Sequence, residues 1–481
     1  MSEQAYEVII VGSGAGGSAA AHSLVKAGRR VLLLEKGGQL PWDGSTLDVK
    51  QVFAEGRFKN RQPWVDNQNR QFIPAEFHNV GGKIKWYGAA LLRFAPHEFE
   101  ADPDHKCLGW PIGYDELAPY YEQAESLLAV TRFDNEPELQ LLIERILASD
   151  PAWRAEALPL GLKREILEHP EEAKHFDGFA SACGFKSDAE WNLLDALRGE
   201  SNFRLMPHTT ATGLLYTDGD PAQITGVLCA DGGSYRAGAV ILAAGAMSSP
   251  RLLQDHLEVT GLGDCLPSAP LMGANFKLHA NSALLGFSPF KKTDVLRKTA
   301  IFFNEHYPHS TVQCLGWMDG EILATQLPAA VPRFVARAMG ARAYGFFVTT
   351  EDGSHTDNRI ISCGGHGGLP VLDYELGRLP PTQQEHQGLI RAFEFALRKA
   401  GLLGVSRYMG LAGTAHALGS LVTGDDPETS VVDADGRVHG MQGLYVADGS
   451  VLPRSSRVNP ALTIYAWGLR LGDHLTNGAL R

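Results

Sequence analysis

The run Tyr6-Glu-Val-Ile-Ile-Val11-Gly12-Ser-Gly14-Ala-Gly-Gly17 opens on an apolar strand pattern and breaks into glycine. An Ala-rich segment from Ser18 to Ala27 follows with high helix propensity, and Gly28 stops it. Val31-Leu-Leu-Leu34 is a second apolar run, ending on Glu35. Strand, Gly-x-Gly-x-x-Gly, helix, strand and acid follow one another as a dinucleotide site requires. Gly12 serves the tight turn, Gly14 lets backbone approach a pyrophosphate, and Gly17 lets helix and strand pack closely. The helix N-terminus offers N–H groups and a partial positive charge to the phosphates. Glu35 is suited to accept hydrogen bonds from a ribose diol, and its charge disfavours a 2′-phosphate. These residues alone leave FAD and NAD both open.

The chain has 481 residues, enough for two or three domains, and 44% apolar content supplies their cores. A net charge of −12 argues against nucleic acid or an anionic membrane surface as the main partner. Cysteines at 107, 183, 229, 265, 314 and 363 form no Cys-x-x-Cys pair, so no zinc or iron–sulfur motif is present. They read as reduced core thiols of a reducing compartment. The first strand begins too near Met1 for a signal peptide, and no apolar run approaches the ~20 residues of a membrane span. The expectation is a cytoplasmic protein with no membrane partner.

Residues 37–80 read as an irregular excursion over a cofactor. Asn79 to Ala90 is rich in small residues, and Gly81, Gly82, Gly88 and Ala89 would let backbone approach a flat ring, although from this stretch alone an ordinary glycine turn is the preferred reading. A helix is expected over Glu116–Ala129 with Asp115 as N-cap, and Glu165 to Lys174 reads as a solvated charged face. β pattern returns at Phe203–Tyr216, Ala222–Leu228 and Ala237–Gly245, and Ser249-Pro250 starts a helix. Residues 285–400 change character, with alternation in Tyr344–Thr350 and an amphipathic helix at Thr382–Lys399. They read as a separate, mainly antiparallel domain. Leu327 to Gly340 is an apolar stretch read as core or interface packing rather than a lid or membrane-surface helix.

The last seventy residues carry His416-Ala-Leu-Gly-Ser, Asp425-Asp-Pro-Glu-Thr-Ser-Val-Val-Asp433, Leu444-Tyr-Val-Ala-Asp448-Gly449-Ser and Asn459-Pro460-Ala-Leu-Thr463, then an apolar helix to Leu475. With the opening fingerprint, Val80-Gly-Gly82 and Ile241-Leu-Ala-Ala-Gly-Ala-Met-Ser-Ser-Pro250, these runs resemble the glucose–methanol–choline (GMC) flavoprotein oxidoreductases over nearly the whole chain. The resemblance implies an α/β fold, α+β overall. A Rossmann-like FAD-binding domain would be assembled from residues 1–105, 200–285 and 410–481. Residues 106–199 would form a helical connecting region, and 286–409 a substrate domain on a mainly antiparallel sheet.

The same resemblance implies FAD as cofactor and oxidation of a CH–OH group. His416 and Asn459 match the active-site pair: the histidine takes the hydroxyl proton, the asparagine positions the alcohol, and a hydride passes to flavin N5. Cofactor contacts are expected from Gly12, Gly14, Gly17, Glu35, Gly81, Gly82, Gly88, Ala89, Ala211, Ala244, Gly245, Asp448, Gly449, Asn459 and Pro460. No metal is implied. Trp86 stands where covalent members carry a histidine, so FAD is expected to be noncovalent. Gly419-Ser-Leu-Val departs from the usual Gly-Thr after the active-site histidine. Gly81–Phe94 and Trp110-Pro-Ile-Gly-Tyr are similar to the pyranose-oxidase and gluconate-dehydrogenase side, which favours a sugar, glycoside or polyol. The alternatives are an apolar or aromatic alcohol, or, in another class, a lyase or an idle FAD-binding protein. The electron acceptor, oxygen or another, and the oligomeric state are left open.

Overall fold

In the computed structural model, which describes residues 6–318, 320–327, 331–363, 368–411 and 416–479, the opening run folds as its spacing requires. Tyr6–Val11 is a strand, Ala15–Lys26 a helix, and Val31–Leu34 a second strand parallel to the first. Beyond Glu7 at the open end of the first, these strands are apolar because both of their faces are covered. Val8, Ile9, Ile10, Val31, Leu32 and Leu33 have no exposed surface.

Three later stretches complete the parallel part of this sheet. Phe203–Met206 pairs with Val31–Leu34, Ser234–Leu242 with Tyr6–Val11, and Leu444–Val446 with the far end of Ser234–Leu242. An antiparallel meander through Ala211–Thr217 and Asp220–Cys229 extends it to seven strands. One sheet is thus built from both ends of the chain and its middle. The final helix, Ala461–His474, lies on the glycine helix. A Cβ on Gly468 would come within 2.4 Å of the Gly16 carbonyl, so only glycine permits that approach.

A second, six-stranded sheet is antiparallel, in the order Leu403–Tyr408, Ala280–Phe287, Ala343–Thr350, Ser310–Cys314, Ala300–Asn304, Trp153–Ala157. Helix Pro380–Lys399 covers one face, packing Leu389, Phe393 and Leu397 on Leu284, Phe302, Val312 and Phe346. The other face, carrying Asn281, Thr311, Gln313, Phe347 and Thr349, turns toward the loop Ser455–Asn459: Thr311 Oγ1 donates to Arg457 O at 2.8 Å. The edge strand Trp153–Ala157 comes from the region expected to be a helical connection. A small sheet joins Arg359–Ile361, Val371–Asp373, Trp64–Asp66 and Gln71–Phe72, so the 37–80 excursion contains a hairpin.

Several local expectations are corrected. Gly113, not Asp115, caps helix Tyr114–Leu127, and Asp115 sits in the first turn, where its charge still suits the helix dipole. Glu172, in the supposed solvated face, is buried and accepts from Ser181 Oγ and the Ala182 and Cys183 N–H groups, each at 2.9 Å. Cys107, Cys229 and Cys314 are buried thiols, but Cys183, Cys265 and Cys363 are exposed. In the apolar stretch from Leu327, residues 328–330 lie outside the described residues; Arg333–Gly340 is a helix that exposes Phe334 rather than core. No helix among the described residues is long and apolar enough to cross a membrane.

Candidate active site

The glycines of the first turn are held for different reasons. Gly12 has φ +109°, and a Cβ there would lie 2.3 Å from Ala243 O. A Cβ on Gly17 would lie 2.1 Å from Gly12 O, and one on Gly16 1.7 Å from Ala447 O. The fingerprint leaves Gly16 unspecified, yet it is packed as tightly as Gly17. Gly14 differs: nothing lies within 4 Å of its notional Cβ, and the helix that starts there has no side-chain cap. Its first turn therefore faces open space with the donors an anion needs.

Glu35 is buried beside this turn and oriented by three donors: Ser13 N–H at 3.1 Å, Ser13 Oγ at 2.6 Å and Gly37 N–H at 2.8 Å. Burial pushes its carboxyl upward, and the three donors oppose that shift. Ser13 Oγ also accepts from Gly81 N–H at 3.0 Å, and a Cβ on Gly82 would come within 2.8 Å of Gly14 Cα. The Gly81–Gly82 pair is thereby laid directly on the first turn. Ala211 starts its strand two residues after Thr209, whose N–H donates to Glu35 O at 2.8 Å.

A second group forms around Asp448. Its Oδ2 accepts from Gly245 N–H at 2.9 Å and Ser249 Oγ at 2.5 Å, and its Oδ1 from Ser450 N–H at 2.8 Å. Ala244 N–H donates to Ser249 Oγ at 3.1 Å. Gly245, at φ +86°, has nothing within 4 Å of its notional Cβ. Gly449 O accepts from Gly419 N–H at 3.0 Å, three residues beyond His416. In the divergent stretch, Ser420 Oγ donates to Ala246 O at 2.6 Å and ties that wall to the strand end. Gly88 abuts the part-buried Lys298–Asp177 ion pair, and Ala89 beside it takes φ +60°. Gly14 and Gly245 thus open at the C-terminal ends of adjacent parallel strands, where α/β sheets bind their ligands. This backbone cradle and its donors fit FAD.

His416 and Asn459 meet beside this cradle. His416 Nε2 lies 3.4 Å from Asn459 Nδ2, and both residues keep an open edge. Pro460 follows Asn459 as the cap residue of the final helix. Three side chains that the sequence does not single out complete the group. His279 Nδ1 lies 2.9 Å from His416 Nδ1, Gln313 Nε2 donates to Asn459 Oδ1 at 2.5 Å, and the Phe347 ring stands perpendicular to His416 at 6.2 Å. Burial, then His279, Lys83 and Lys298, push the His416 pKa well below its usual value, so the ring is neutral at pH 7. A neutral imidazole beside a donor amide can take a proton from a hydroxyl group. Trp86 is committed elsewhere: its indole N–H donates to Asn79 Oδ1 at 3.0 Å, and its ring stacks on Phe77.

Residues 7–369 match the family described as FAD dependent oxidoreductase, and residues 405–468, which hold His416, Asp448 and Asn459, match that described as GMC oxidoreductase. Paromamine 6'-oxidase of Streptomyces fradiae is 28% identical, over 97% of this chain and 91% of that protein. The 6'''-hydroxyparomomycin C oxidase of Streptomyces lividus is 26% identical, over 98% and 91%. Among solved structures, pyridoxine 4-oxidase from Mesorbium loti superposes with a TM-score of 0.69 at 18% identity, over 97% of this chain and 98% of that one. Fold, cradle and family patterns agree: the chain is an enzyme of the GMC family of FAD-dependent oxidoreductases.

Proposed function

We propose that this enzyme oxidises a CH–OH group of a sugar, glycoside or polyol, with His416 as the base and Asn459 as the group that positions the alcohol. The observation that carries the reading is the His416–Asn459 pair, a neutral ring nitrogen facing an amide donor at the edge of the cofactor cradle. A hydroxyl placed between them would give its proton to His416 Nε2 and accept a hydrogen bond from Asn459 Nδ2. FAD, held by Gly12, Gly14, Gly17, Glu35, Gly81, Gly82 and Asp448, would supply the hydride acceptor. The Trp86 side chain supports noncovalent attachment, since it offers no nucleophile to the flavin.

The substrate class is supported by three buried oxygens on the sheet face that fronts the pair. Gln313 Oε1, Asn281 Oδ1 and Thr349 Oγ1 have no hydrogen-bond partner among the described residues. An unpaired buried polar atom costs about 1–3 kcal/mol. They make this face polar, which suits a substrate with several hydroxyl groups better than a simple apolar alcohol. The two Streptomyces relatives, named for oxidising paromamine and 6'''-hydroxyparomomycin C, agree with a polyhydroxylated substrate. Exposed free thiols at Cys183, Cys265 and Cys363 suit a reducing, cytoplasmic setting.

The test is anaerobic titration of the FAD-loaded enzyme with sugars, glycosides, polyols and apolar alcohols, followed by flavin absorbance. Bleaching by a polyol, slowed about 100-fold or more in His416→Ala, is the expected outcome. Bleaching by apolar alcohols only would reject the substrate class. No bleaching by any compound would point to a lyase or an idle flavoprotein. Admitting air to the reduced enzyme then separates oxygen from another acceptor.

A further inference from the structure

We propose that His279 holds the proton of His416 on Nδ1 and so leaves Nε2, the nitrogen facing Asn459, as the bare base. This rests on the reading of His416 as proton acceptor. His279 sits at φ +46° immediately before strand Ala280–Phe287 and is 2% exposed. Its Nε2 lies between two carbonyl oxygens, Ser455 O at 3.0 Å and Ser456 O at 2.7 Å. Carbonyls only accept, so this nitrogen carries a proton. A neutral imidazole with a proton on Nε2 has a bare Nδ1. That bare nitrogen lies 2.9 Å from His416 Nδ1. Two lone pairs at such a distance repel, so His416 is the donor. Its own Nε2 is then unprotonated.

The far side of the pair fits the same assignment. Gln313 occupies Asn459 Oδ1 with a donor, which turns Asn459 Nδ2 toward His416. Nδ2 only donates, and a bare His416 Nε2 is the matching acceptor. The reverse arrangement, with the proton on His416 Nε2, would make His279 a cation protonated at both nitrogens in the interior. Burial disfavours that cation. Glu351, the acid that acts on His279, is already engaged by Arg454 at 2.6 and 2.9 Å, by His309 at 3.0 Å and by Ser456 N–H at 2.9 Å. When the alcohol O–H bond breaks and an N–H bond forms at His416 Nε2, the His279 lone pair stays aimed at the Nδ1 proton of the ring, now positive. His279 is thus a positioning residue that touches no substrate.

The experiment is nitrogen NMR of the FAD-loaded enzyme with ring-labelled histidine, the His416 signals identified by their loss in His416→Ala. The expected spectrum has a protonated Nδ1 and a bare Nε2 on His416. A proton on Nε2 would overturn the proposal. In parallel, His279→Phe keeps a flat ring but has no acceptor, and flavin reduction by an active alcohol should fall about tenfold or more. His279→Asn tolerates the left-handed backbone and returns an acceptor near the Nδ1 position, so it should recover to within about 3-fold of wild type. Wild-type reduction in His279→Phe would also overturn the proposal. If the variants do not fold, the wild-type spectrum decides. A failed base reading is distinguishable: His416→Ala would then reduce normally, whatever tautomer the spectrum reports.

Discussion

Asn459 can turn only one side of its amide to His416, because Gln313 holds the other. His416 titrates well below the ordinary histidine range. The base form therefore persists as the solution is acidified, and the rate of flavin reduction should show no acidic limb between pH 6 and 7. A limb centred there, in a pH series of stopped-flow traces, would contradict the environment described. Thr349→Val removes an unpaired buried hydroxyl, so the protein should gain about 1 kcal/mol, read in a thermal melt. At this scale the sequence was half legible. His416 and Asn459 stand in recognisable runs, whereas His279 and Gln313 reach the site only through the pairing of distant strands. No local pattern marks His279 among seventeen histidines.

The glycine turn separates packing from ligand approach within three residues. In Gly16→Ala, the new Cβ would collide with Ala447 O, and the fold should lose about 2–3 kcal/mol. In Gly14→Ala, φ is −68° and no atom is near, so the apoprotein should melt as wild type while FAD binds about tenfold more weakly. Melting with and without FAD distinguishes the two. Against the six-stranded sheet, His386 on helix Pro380–Lys399 is buried between Ser282 Oγ and Thr350 Oγ1, and burial lowers its pKa to about 4. Its unfolded value is near 6.5, so the unfolded state binds the extra proton first. The stability it contributes is present above pH ~6.5 and fades toward pH 4, by up to about 3 kcal/mol. Denaturant melts of wild type and His386→Gln should converge as pH falls across that window. Strands covered on both faces, and helices with clear periodicity, could be read from the sequence. The edge strand Trp153–Ala157 could not, since only its pairing with Ala300–Asn304 defines it. The Asp115 cap failed because Gly113 already supplies the extended backbone needed there.

At the scale of the whole chain, the cofactor cradle gathers turns from residues 12–17, 35–37, 81–82, 244–249 and 448–450. The motif order made this discontinuity legible, but not the tie of Ser13 to both Glu35 and Gly81. If attachment is noncovalent, acid precipitation should leave all the yellow colour in the supernatant; colour retained in the pellet would refute it. Added FAD should also raise the melting temperature with its concentration, because it binds the folded state alone. The contact of Gly468 with Gly16 bears on how the protein is made. Translation delivers the glycine helix well before its partner helix, Ala461–His474. Until the ribosome has released that partner, Gly16 and Ala19 lack the Gly468 surface they close against, and the apolar strands beside them wait without their lid. The flavin site is therefore a late product of synthesis, and a nascent chain stalled before Ala461 should bind chaperones rather than FAD.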